Sequence, residues 1–233
     1  MDYDRLSGAH LILSAFGYHT GIPSFIEERH QVLQPTIRAA WNLSERGGRT
    51  LCEIADQVRQ VALIVESDPN MQRISLRGMP TAENHEATIA ALGEISDYLE
   101  SWEIGYASKL RNAVPTSQEL NLRFPQLNHL LHAYFGQDGI ATEDDITEVE
   151  GLGMYIDDFH PTCPWRLPGL VGECHEALAL FHDETSLRWF FEEEQGMGSG
   201  TLSWSEWIPL IADTVSGHMR EHHGYRWQTG QES

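Results

Sequence analysis

A chain of 233 residues is long enough for one large domain or two small ones with a proper core, and 41% hydrophobic content with seven Trp excludes a disordered chain. Thirty-five acids face fifteen bases, fourteen of them Arg; the net charge of −20 argues against nucleic acid and anionic membranes as ligands and suits a basic protein partner. No apolar run reaches the ~18 to 20 residues of a membrane span.

The opening stretch MDYDRLSGAH is acidic and lacks the basic region of a signal peptide, and Cys52, Cys163 and Cys174 are irregularly spaced. Reduced thiols in a cytosol are therefore expected rather than a disulfide framework. Helical periodicity dominates the rest of the chain. Thr50 is a plausible N-cap for TLCEIADQVRQVALIVES, whose Leu51, Ile54, Val58, Val61 and Val65 fall on one face. The β-branched end of that segment leaves a short hairpin with RISLRG, after Asp68-Pro69-Asn70, as an alternative. In the long pattern starting PTAENHEATIAALGEI, Thr81 is the expected cap, Ile89, Leu92, Ile95, Leu99 and Trp102 line one face, and Gly105 predicts a break.

Pro115 and the polar Thr116-Ser117-Gln118 place a boundary that separates residues 1–118 from 119–233. In the second half, FPQLNHLLHAYF predicts a helix with Leu127, Leu130, Leu131, Tyr134 and Phe135 inward, and TEDDITEVEGLGMYIDDF offers Thr142 as N-cap. LPGLVGECHEALALFHDETSLRWFFEEEQG gives two further helical pieces with Asp183 or Thr185 between them. Ser203 with Glu206 forms a capping box for the last helix. The fold class is mainly α, with a helical C-terminal domain; the N-terminal half is mostly helical, α+β if the hairpin forms.

Catalytic signatures are absent. GMGSG at Gly196–Gly200 lacks the preceding strand and the Lys-Ser/Thr of a phosphate loop, and reads as a helix stop. His218 and His222 share a helix face without the Glu of a zincin motif. His160 and Cys163 have only the adjacent Cys174-His175 to complete a site, a pairing that strains tetrahedral geometry. In the N-terminal half His10, His19, His30 and His85 show no ligand spacing. No metal or other cofactor is expected, although a metal-dependent enzyme in the N-terminal half, or an acidic adaptor, are the alternatives to a binding protein.

Between Asp138 and Glu194 lie fifteen acids and two bases, Arg166 and Arg188, a local net of −13. A run of this kind serves either as a solvated face or as a steering field for a cationic partner.

FPQLNHLLHAYFGQD, Phe124 to Asp138, resembles the Phe-Pro-x-Leu-x-x-Leu-Leu-x-x-Tyr-Phe-x-Gln-Asp opening of the CdiI family, the immunity proteins of contact-dependent growth inhibition. The similarity continues in order through YIDDF, LVGECHEALALF, LRWFFEEEQGMG and SWSEWIPLI, five blocks over Leu120 to Met219. Gly139, where the family more often has a large residue, and the acidic ATEDDITEVEG are departures. The resemblance implies a cytosolic protein that binds the toxic C-terminal domain of a delivered effector and blocks it stoichiometrically, without catalysis. Many such toxins are nucleases with basic clefts, which the acidic run would suit. The expected contact residues are Asp138, Glu143, Asp144, Asp145, Asp157, Asp158, Glu192 and Glu193, with Trp165 as the apolar anchor. A Trp plugging the core beneath a loop is the competing reading of Trp165.

Overall fold

The computed structural model describes residues 5–17, 21–68, 78–136, 139–141 and 146–224, and among them every regular element is helical. The chain divides into two units, residues 1–123 and 124–233.

The first unit contains α1 (Ser7–Ser14), α2 (Ile26–Ser44), α3 (Leu51–Ser67), α4 (His85–Trp102), α5 (Tyr106–Arg111) and α6 (Ser117–Arg123). Thr50 starts α3 with a reciprocal capping box: its hydroxyl accepts the Glu53 N–H, and the Glu53 carboxylate accepts the Thr50 N–H at 2.7 Å. The helix then runs unbroken to Ser67, which overturns the hairpin alternative for its last turns. Val61 and Val65 continue the stripe of Leu51, Ile54 and Val58, and all five are buried against the rest of the unit. Burial on one helical face thus outweighs the β preference of the valines. Residues 71–77, which include most of RISLRG, lie outside the described residues.

Helix α4 packs along α3 with Leu92, Ile95, Leu99 and the fully buried Trp102. It is capped by Asn84, not by Thr81 as expected: the Asn84 side chain accepts the Ala87 N–H at 2.8 Å, and Thr88 holds the preceding turn by accepting the Ala82 N–H. Asn reaches the third N–H of the helix as well as Thr does, so the later position wins. The break at Gly105 is present; that residue takes φ +75° between α4 and α5. Arg38 of α2 and Glu119 of α6 form a nearly buried bidentate pair, with Nε 3.0 and 3.1 Å from the two carboxylate oxygens.

The second unit contains α7 (Pro125–Ala133), α8 (Glu148–Phe159), α9 (Cys163–Leu180), α10 (Glu184–Arg188), a π-helical turn (Trp189–Glu194) and α11 (Trp204–His222). The start of α7 explains the odd Phe-Pro opening. Pro125 has no N–H to satisfy, Phe124 supplies no side-chain cap, and the next two N–H groups, of Gln126 and Leu127, are accepted by the Glu173 carboxylate of α9 at 2.9 and 2.8 Å. Glu173 is itself buried. The end of α7 turns sharply because Gly139 N donates to Gly136 O and Ala141 N to Tyr134 O. A Cβ on Gly139 would collide with the Tyr134 carbonyl, so this sequence's departure from a large residue is required by its own turn.

Thr147, not Thr142, caps α8, in a capping box with Glu150; Thr142 lies outside the described residues. Asp183 caps α10, and Ser203 with Glu206 starts α11, as expected. The π-helical turn sets the consecutive Phe190 and Phe191 both fully inside. They pack with Phe124, Phe181 and Trp204, at ring-centroid distances of 4.9–6.4 Å. Gly196, at φ +68°, ends the turn, with Met197 N donating to Phe191 O.

Candidate functional site

Aromatic contacts join the motif blocks of the second unit. Tyr134 stands edge-on to Tyr155 at 5.0 Å, Tyr155 to Phe159 at 4.9 Å, and Phe135 to Trp207 at 4.9 Å. Tyr134 is buried as expected, whereas Phe135 is only half-buried. The Tyr134 hydroxyl donates to the Asp158 carboxylate, and burial followed by that carboxylate pushes its pKa up to about 12. This bond carries the network to the surface at the junction of α8 and α9.

Three expected contact residues sit at that junction. Asp157 and Asp158 are exposed on the last turn of α8, and Trp165 is 89% exposed on the first turn of α9. Thr162 closes the connection: its N–H and hydroxyl both donate to Phe159 O, and its own carbonyl accepts the Trp165 N–H at 3.0 Å. Trp165 therefore plugs no core. The first core positions of this helix are Cys163, Leu167 and Leu170, and Trp165 falls between them. Glu192 and Glu193 are exposed on a separate element, the π-helical turn, where Arg188 pairs with Glu192 at 3.1 Å. Asp138, Glu143, Asp144 and Asp145 lie outside the described residues.

The acidic run is not one free surface: besides Asp158, which takes the Tyr134 hydroxyl, five further carboxylates are tied up inside the unit. Besides Glu173, Glu148 accepts the hydroxyl and N–H of Thr201 at 2.6 and 3.0 Å. Glu184 accepts the N–H groups of Trp204 and Ser205 at 3.0 and 2.7 Å, and Glu150 and Asp183 complete capping boxes. These bonds hold the Glu148, Glu150 and Asp183 carboxyls below their ordinary range; at Glu184 burial pushes upward but the two N–H donors prevail. Glu148, Glu150, Asp183 and Glu184 thus stay charged and contribute to the field, yet none of the five is available to grip a partner directly. For Glu148, Glu173 and Glu184 sequence reasoning missed this because acceptor and donors stand 20 to 53 residues apart.

The two histidine candidates from the sequence merge, the first losing His222 and the second losing Cys174 and His175. His160, Cys163 and His218 come together with His223, which sequence reasoning did not include, and one ligand atom from each lies within 4.8 Å of the others. His222 is not part of this set, and Cys174 lies buried in the core with its thiol pushed up by burial. Burial pushes the Cys163 thiol up as well. Burial, followed by the neighbouring imidazoles, holds His218 and His223 below the usual histidine value.

The helical architecture and the packed motif blocks define an all-α unit. Residues 123–215 match the model of the family described as CdiI immunity protein, the family that the sequence resemblance named. No curated protein and no solved structure matches the chain. No helix among the described residues is long and apolar enough to cross a membrane.

Proposed function

We propose that the chain is an immunity protein that binds the cognate toxin domain of a contact-dependent growth inhibition effector in the cytosol and neutralises it as a stoichiometric inhibitor, with no turnover of its own. The observation that carries this reading is the family match over residues 123–215. The α8–α9 junction supports it: a large aromatic side chain stands 89% exposed, outside any core, beside two exposed carboxylates. Such a Trp has the character of a hot-spot anchor that fills a pocket on a partner and slows dissociation. The acidic run around it steers a basic toxin, most simply a nuclease, and speeds association.

On this reading the contact surface comprises Trp165, Asp157, Asp158, Glu192 and Glu193 together with Asp138, Glu143, Asp144 and Asp145. The second unit, residues 124–233, is the immunity domain on this reading, with the boundary five residues beyond the 118/119 expected from Pro115. Calorimetric titration of the full chain with the purified toxin domain tests the proposal. A one-to-one complex whose affinity weakens as salt rises is expected; absence of a complex at low salt would overturn it.

A further inference from the structure

We infer that His160, Cys163, His218 and His223 form a structural site for a divalent metal ion of the Zn(II) class. The four residues come from two places in the second unit. His160 follows the last residue of α8, Cys163 opens α9, and His218 and His223 occupy the last turns and the cap of α11. Their donor atoms lie within 4.8 Å of one another, and Cys163 Sγ is 3.9 Å from His160 Nδ1. Donors around a tetrahedral Zn(II) stand about 3.4 to 3.7 Å apart, given Zn–N near 2.0 to 2.1 Å and Zn–S near 2.3 Å. Side-chain adjustments of about 1 Å would close the set.

An independent observation points to a ligand. His218 Nε2 and His223 Nε2 are both buried and have no hydrogen-bond partner. Buried ring nitrogens are normally satisfied, and two orphaned ones facing the same thiol are explained if a cation completes them. The three imidazoles are clustered, with ring centroids 5.2–5.8 Å apart. The Asp157 carboxylate is within electrostatic reach of both Cys163 and His218, which favours a positive charge there. An open cleft of about 850 Å³, lined by His160, Pro161, Pro164, Met219, His222 and His223, gives an ion a path from solvent.

One thiolate and three imidazoles select Zn(II) or Co(II) over Mg(II) and Ca(II), which prefer oxygen. Four protein ligands leave no open position, so the ion's role is to pin the end of α11 to the α8–α9 junction rather than to activate water. Binding requires the thiolate, so the Cys163 proton leaves to solvent as the metal–sulfur bond forms.

The test uses the full-length, untagged chain, stripped with chelator and reloaded with Zn(II) or Co(II), and needs no toxin. The expected result is one equivalent of Zn(II) retained through desalting, a higher unfolding midpoint, and a Co(II) adduct showing tetrahedral d–d bands with a thiolate charge-transfer band. Cys163→Ser and His160→Ala should each weaken binding by more than about 100-fold, while His175→Ala leaves it unchanged. If Cys163→Ser fails to fold, His160→Ala decides, because His160 is exposed. No retained metal, a Co(II) adduct without the thiolate band, or binding indifferent to His160→Ala would overturn the inference.

Discussion

Replacing Glu173 by Ala removes the acceptor that completes the N-terminus of α7, and the structure sets the scale of the loss. Two charge-assisted bonds, at 2.9 and 2.8 Å, disappear, and the N–H groups of Gln126 and Leu127 lose their partner. Leu127 is fully buried, so its N–H has no water to turn to, while that of Gln126 is partly accessible. Bonds to a charged group contribute about 1.5 to 3 kcal/mol each, and a stranded buried donor costs about 1 to 3 kcal/mol. With partial rescue of Gln126 by water, Glu173→Ala should destabilise by about 3 to 4 kcal/mol. Glu173→Gln keeps one acceptor oxygen but loses the charge, and should cost about half as much. Urea unfolding followed by circular dichroism measures both, with Glu193→Ala as a control at an exposed carboxylate that makes no internal bond among the described residues. A Glu173→Ala protein within about 0.5 kcal/mol of the control would refute the assignment of Glu173 as the cap of α7.

Two other outcomes rest on the same geometry. Trp165→Ala should leave the unfolding midpoint unchanged, because the side chain is 89% exposed, yet weaken toxin binding by about 30-fold or more, mainly through faster dissociation, as surface plasmon resonance would show. Stability should also fall in acid: Glu148, Glu150, Asp183 and Glu206 have folded-state values below their ordinary 4.5, 4.5, 3.8 and 4.5. The unfolded chain therefore takes up protons first, so the contribution present in full above about pH 5 is lost as the pH drops through the folded values. Denaturant midpoints measured at stepped pH between 7 and 3 check this; a flat profile would contradict the capping roles.

What was legible in the sequence was local. Thr50 with Glu53 and Ser203 with Glu206 sit three residues apart, so the boxes that start α3 and α11 could be read directly. Gly105 likewise announced its break. Thr81 lost to Asn84 because two good capping residues stood three apart, and only the packing of Thr88 against the preceding turn decides between them. The hairpin alternative at the end of α3 failed for a related reason, since β-branched residues tolerate a helix when one face is buried. Contacts between distant positions were hidden. Nothing near Pro125 reveals that its helix is capped from Glu173, and nothing near His160 reveals that His218 and His223 close upon it. Trp165 stood between two readings because burial is a tertiary property, and the register of α9, with Cys163 and Leu167 inward, turns it out.

The central claim concerns neutralisation in equal numbers of molecules, and an activity titration addresses it most directly. A fixed amount of the toxin domain, assayed on its own substrate, is mixed with rising amounts of the full chain. Activity should fall linearly and vanish at one equivalent, with less complete inhibition at high salt when concentrations are dilute. Full activity in the presence of excess chain would contradict the account, and so would complete inactivation by a small fraction of an equivalent, since that would require turnover.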